Sequence, residues 1–241
     1  MTEHDSPNVE PVEDESTLLL GANDRIELIA TIVLAIATIL TAWSAFQAGK
    51  WGGEQSTNFS AAGATRTEST RADTRGGQLV QIDVAMYIDW VSAFVEDEES
   101  GKIVVDDVTG YQPTRGTLSG FLYERMRPEF LPALEAWLAT DPTNNPNAPP
   151  TPFAMEEYVV ADQVLAVELT EQANELSLAA RTANQNGDNY VLTMVLFASV
   201  LFFAGVSSKL ESHRNRIIAL GFGVTLTVIG SVILVSLPIL V

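Results

Sequence analysis

Cysteine is absent from the chain. That removes disulfides, thiolate nucleophiles and cysteine-ligated metals at once. An exported domain built from this sequence has to hold itself together by helix packing. Histidine is almost as scarce, with two in 241 residues, and both lie outside the long polar middle of the chain: His4 near the start and His213 near the end. General acid–base catalysis relies most often on histidine, so the middle has little to run such chemistry with. Cations are also few. Thirteen Lys and Arg face 31 Asp and Glu, a formal net charge of -18. Phosphate backbones need clustered Lys and Arg, so nucleic acid is excluded as a partner. No catalytic, cofactor or metal signature stands out anywhere.

What is present is apolar residues gathered into three runs, Leu28–Phe46, Val191–Val206 and Ile217–Val241. A helix of roughly 20 apolar residues spans a ~30 Å hydrocarbon core. The lipid bilayer is therefore the first expected partner. None of the runs contains an Asp, Glu, Lys, Arg or His at its core, with Glu27 at the entry of the first. Proton relays and ion pathways normally use such residues, which argues against a pump or coupled transporter.

The last two runs are joined by a short polar link carrying Lys209, Arg214 and Arg216, with His213 beside them and Glu211 opposing. Short basic loops stay cytoplasmic. The reading that follows is an all-α protein of the cell membrane. Residues 1–24 form a disordered acidic cytoplasmic tail, with Leu18-Leu19-Leu20 its single apolar cluster. Residues 25–49 form the first transmembrane helix, an uncleaved anchor rather than a signal peptide, because its approach is acidic and Trp43 and Phe46 occupy the place of a cleavage site. Residues 50–189 are an extracytoplasmic helical domain, 190–208 the second transmembrane helix, 209–216 the cytoplasmic basic loop and 217–241 the third transmembrane helix. The exported domain is expected to be an antiparallel bundle continuous with the first and second membrane helices. Small residues every fourth position, Ala37, Thr41, Ala45 and Gly49, with Gly223, Thr227 and Ser231 opposite, let helices approach closely. They serve either packing among the three helices or pairing with a second copy.

Within the domain, Trp51–Glu99 reads as helical, kinked at Gly76-Gly77, with Val80, Val84, Tyr87, Val91 and Phe94 at helical spacing. Glu96–Glu99 with Asp106-Asp107 is the one carboxylate cluster, and it lacks the spacing of a calcium loop. Glu129–Ala139 forms a short helix with Pro128 in its first turn. Pro142, Pro146, Pro149, Pro150 and Pro152 then impose a stiff, extended strap. From Glu156 helix resumes, with Leu165, Leu169, Gln172, Leu176, Ala179 and Ala183 as a coiled-coil seam. Phe130, Trp137, Phe153, Met155 and Tyr158 gather around the strap. They form either a preordered interaction surface or the closed end of the bundle.

Four stretches are similar to segments of a group of uncharacterised bacterial integral membrane proteins with three transmembrane helices and an exported helical domain. They are W-S-A-F-Q-A-G-K-W-G-G-E-Q (Trp43–Gln55), R-M-R-P-E-F-L-P-A-L-E-A-W-L-A-T-D-P (Arg125–Pro142), N-P-N-A-P-P-T-P-F-A-M-E-E-Y (Asn145–Tyr158) and A-N-Q-N-G-D-N-Y-V-L (Ala183–Leu192). The resemblance implies a bacterial-type membrane and no chemistry. The function expected is a non-catalytic interaction or sensory module, working as a homo-oligomer or with another membrane protein. A subunit or accessory of an oligomeric channel or transporter is the alternative. An outer-face enzyme comes last, for want of cysteine and exported histidine.

Overall fold

The computed structural model describes residues 15–103 and 111–241. Among them every regular element is a helix. α1 is Glu15–Glu99, α2 Leu118–Tyr123, α3 Leu131–Leu138, α4 Ala161–Ser207 and α5 His213–Ser236, with one 3-10 turn at Pro152–Ala154. α1, α4 and α5 each hold a window long and apolar enough to cross a membrane. The fold is all-α with three such helices, as composition and periodicity require.

The chain divides into two compact units. The first comprises residues up to Phe59 together with Leu178–Val241. Its core is narrow. Val33 and Ala37 of α1 pack with Val200 and Ala204 of α4, flanked by Leu226 of α5. A second cluster joins Tyr190, Phe197 and Leu234 with Leu40 and Trp51. Small residues make these approaches close: a Cβ on Gly230 would stand 2.8 Å from the Phe197 ring. Gly223 is buried against α4, where a Cβ would lie 3.7 Å from the Ala204 nitrogen. The hydroxyls of Thr193 and Ser44 are hydrogen-bonded at 3.1 Å with both residues buried, and Thr193 donates to the Tyr190 carbonyl at 2.8 Å, so the pair is matched inside this core.

Three boundaries differ from the sequence reading. α1 begins at Glu15, so the end of the expected tail is helical; residues before it lie outside the described residues. The basic loop is shorter than 209–216, because α4 runs to Ser207 and α5 starts at His213. Arg214 and Arg216 therefore stand on the first turn of α5: a helix need not stop where its apolar face stops. The third apolar run also leaves its helix early, at Ser236. Pro238 is the cause, since the residue before a proline is pushed out of helical backbone. The freed end is tied down by hydrogen bonds. Trp51 Nε1 and Tyr190 Oη donate to the Pro238 carbonyl at 3.2 and 3.1 Å. The Gln47 amide both donates to the Leu240 carbonyl, at 3.2 Å, and accepts from its N–H, at 3.0 Å.

The second unit is Ser60–Ser177. Along α1 the residues Ala62, Ser69, Gly76, Asp83, Trp90 and Asp97, at intervals of seven, are all buried. Polar contacts tie this row and its neighbours to α4. Ser69 Oγ donates to the Ala166 carbonyl at 2.8 Å, Arg66 reaches Ser177 at 3.1 Å, and Arg75 bonds Asp162 at 3.0 Å. Rising numbers on α1 meet falling numbers on α4. A Cβ on Gly76 would lie 2.7 Å from Gln163 Cγ, so Gly76 serves close approach, and α1 carries it without a break in the helix.

The expected seam on α4 holds in one of its two rows. Leu169 and Leu176 are half-buried and Ala183 is buried, but Leu165 is 39% exposed and Gln172 and Ala179 face solvent. Full burial belongs instead to Ala166, Ala173 and Ala180. α4 also begins at Ala161 rather than Glu156. α3 begins at Leu131, so Pro132 and not Pro128 occupies its first turn.

Candidate functional site

The five residues read as an interaction surface are brought together in the core of the second unit. Phe130 is fully buried and Trp137 nearly so; Phe153, Met155 and Tyr158 pack around them half-buried. Phe130 stacks on Phe153 at 5.3 Å, and Tyr158 meets both rings edge-on. The strap is fastened over this cluster by Trp137 Nε1, which donates to the Pro149 carbonyl at 2.7 Å, and by burial of Pro152. The rings pack on one another, while Phe153, Met155 and Tyr158 keep part of their surface accessible.

Beneath the aromatics lies an ionic lock. Asp83 is buried on α1, and Arg127 holds it with two bonds, Nε to Oδ1 at 2.9 Å and Nη2 to Oδ2 at 3.1 Å. Tyr158 Oη donates to the same carboxylate at 3.1 Å. Bidentate pairing of this kind fixes direction as well as energy. Burial, and after it the Asp83 charge, raises the Tyr158 hydroxyl above the ordinary tyrosine range. Arg, Asp and Tyr in this arrangement bond one another. The lock joins α1 to the segments on both sides of α3; it is a clasp. In the sequence Asp83 stands among the apolar residues Val80, Val84 and Tyr87. Its place in the seven-residue row was the signal that it points inward.

The acidic cluster resolves the same way. Asp97 turns in and takes the Ser119 N–H at 2.9 Å, with Lys102 at 3.4 Å. The Ser119 N–H foremost holds its carboxyl below the usual carboxylate range, against the opposing effect of burial. Asp106 and Asp107 lie outside the described residues. No group of three metal-ligating side chains occurs among the described residues. Trp90 Nε1 and Tyr111 Oη are buried without partners there, their rings 5.2 Å apart.

One exposed surface is built with care, and sequence reasoning passed over it. Asp97 anchors the start of α2, and Thr117 caps it by accepting the Gly120 N–H at 3.1 Å. Gly116 takes the left-handed backbone, φ +88°, which glycine adopts without penalty. A Cβ on Gly120 would come within 2.3 Å of the Thr114 carbonyl oxygen, so no other residue fits. On this fixed knuckle Leu118 and Phe121 are 55% and 50% exposed. Arg125 lies over the Phe121 ring, 3.5 Å from its centroid. Beside them a cup of about 490 Å³ is lined by Thr114, Arg115, Glu124 and Arg125. The clue in the sequence was T-R-G-T-L-S-G-F, a capping threonine with one glycine directly before it and another three residues after it, where turn chemistry outranks periodicity. No protein family, curated protein or solved structure matches the chain.

Proposed function

We propose that this chain is a non-catalytic interaction or sensory module anchored in a bacterial-type cytoplasmic membrane. The tail and the link between α4 and α5 face the cytoplasm, and the polar helical domain is exported as an antiparallel bundle. The partner is another membrane protein or a second copy. The observation that carries this reading is the α2 knuckle. Exposed Leu118 and Phe121, bordered by arginine, on a backbone held by a cap, a buried carboxylate and a sterically required glycine, have the make-up of a binding hot spot: aromatic and Arg side chains, ordered in advance. Sensory output is supported by α1 and α4, each of which carries a membrane-length apolar window and a polar stretch in one helix.

Photoreactive amino acids at positions 118 and 121 in the full chain, expressed in membranes, test the reading. Crosslinks to one defined protein, lost from the probe at position 121 on Leu118→Ser with an unchanged melting temperature, are the expected result. Equal loss of crosslinks from a probe at exposed Gln172 would remove α2 as the docking site.

A further inference from the structure

Where the apolar window of α1 ends, a groove of about 610 Å³ opens in the first unit. Phe46, Lys50, Glu54 and Leu240 wall it, and Ala45, Gly49 and Gly53 form its floor. Glycine is the poorest helix former after proline, and it persists inside helices where its size is needed. Here nothing inside the chain needs it: a Cβ on Gly49 or Gly53 would meet no atom within 4 Å. The small-residue ribbon of α1 is thus used internally at Ala37, which is fully buried, and left open at Ala45 and Gly49.

The level of the groove and the order of its charges say what fills it. Trp43 and Trp51 bracket the site, and tryptophans gather where hydrocarbon gives way to head groups. Lys50 forms no ion pair among the described residues. Glu54 stands one turn further from the apolar window, about 6 Å along the axis. Its carboxylate accepts a bond from Asn58 and keeps capacity for more. A cation followed outward by a carboxylate is the complement of a zwitterionic phospholipid, whose phosphate lies nearer the hydrocarbon than its ammonium. A primary ammonium donates hydrogen bonds to Glu54; a trimethylammonium cannot. Exposed Phe46 and Ile39 offer an acyl chain an apolar path along α1.

We propose that this groove seats one phospholipid with a primary-amine head group, its phosphate on Lys50 and its ammonium on Glu54. The proposal rests on the reading that α1 crosses a bilayer. The test uses the full chain purified in mild detergent and equilibrated with equal amounts of phosphatidylethanolamine, phosphatidylcholine and phosphatidylglycerol of identical chains. Retained lipid is then counted by native mass spectrometry. Phosphatidylethanolamine should be retained about tenfold over phosphatidylcholine, the ratio one hydrogen bond to a charged group supplies. Glu54→Gln should erase that preference, Lys50→Gln should weaken retention of all three lipids, and Gly53→Leu should remove bound lipid while Gly52→Leu, off the groove, does not. Equal retention of the lipids, a preference for phosphatidylglycerol, or an unchanged preference in Glu54→Gln overturns the seat. Flotation with phosphatidylethanolamine–phosphatidylcholine vesicles separates the two failures: a chain that does not float overturns the membrane reading, and one that floats but retains the lipids equally overturns the seat alone.

Discussion

Asp83 shows how much one buried charge decides. Its carboxylate accepts from Arg127 twice and from Tyr158 once. A buried pair contributes little over a well-packed apolar alternative, yet removing one partner leaves the other charge stranded. Asp83→Asn keeps the shape and removes the charge. It should cost towards the lower end of ~3–5 kcal/mol in denaturant unfolding, because the Arg127 side chain retains 20% exposure and has Glu129 at 3.4 Å. The same substitution should act on Tyr158, whose raised hydroxyl owes most to burial and next to the Asp83 charge. A tyrosine raised in the folded state contributes stability that is whole below the unfolded value of about 10 and is lost as pH climbs past it. The tyrosinate absorbance step missing in Tyr158→Phe identifies this group. In the native chain that step should come above the ordinary range, and in Asp83→Asn it should move down. A step at the same pH in both would show that the carboxylate does not govern Tyr158.

At the scale of elements, what could be read in advance was whatever repeats. Three apolar runs, helix on both sides of the strap and the strap itself follow from periodicity and proline. The seam of α4 was half legible, because Leu169, Leu176 and Ala183 have the large or neutral character that a core search favours. The other row was misplaced by one residue, onto Leu165 and Gln172, since alanine is common on every helix face and does not announce burial. The reason lies in the facing helix: with Ala62, Ser69 and Gly76 on α1, the backbones are too close for leucine. α2 was illegible for another reason. Six residues are too few for a period, and its geometry is set by a cap, a left-handed glycine and a carboxylate distant in sequence. The row of alanines makes a direct expectation. Ala173→Leu overpacks a site with no exposure and should cost ~1–3 kcal/mol, whereas Leu165→Ala should stay within about 0.5 kcal/mol. Thermal unfolding of the two purified variants decides it. The reverse order would restore the seam read from the leucines.

For the whole molecule, the distribution of charge relative to the apolar windows sets orientation. The acidic excess is spread through the tail and the polar domain, and acidic residues orient a membrane protein weakly. Lys and Arg within about 15–20 residues of a span end orient it strongly when the loop is short. Shortening the link between α4 and α5 does not weaken that argument, because Lys209, Arg214 and Arg216 remain beside both ends, two of them on the first turn of α5. Arg25 and Lys50 flank the first window one on each side and cancel. On the proposed reading the link decides, with the start of the chain and residues 208–212 inside and the polar domain outside. The absence of native cysteine makes this directly measurable, since each introduced thiol is the only one. Ser100 follows the end of α1 and Ser212 precedes α5, and both are exposed. In intact cells a membrane-impermeant maleimide should label Ser100→Cys and spare Ser212→Cys until the membrane is opened. Labelling of position 212 alone would turn the molecule over, and would move the α2 knuckle to the cytoplasmic side, where its partner would have to be sought.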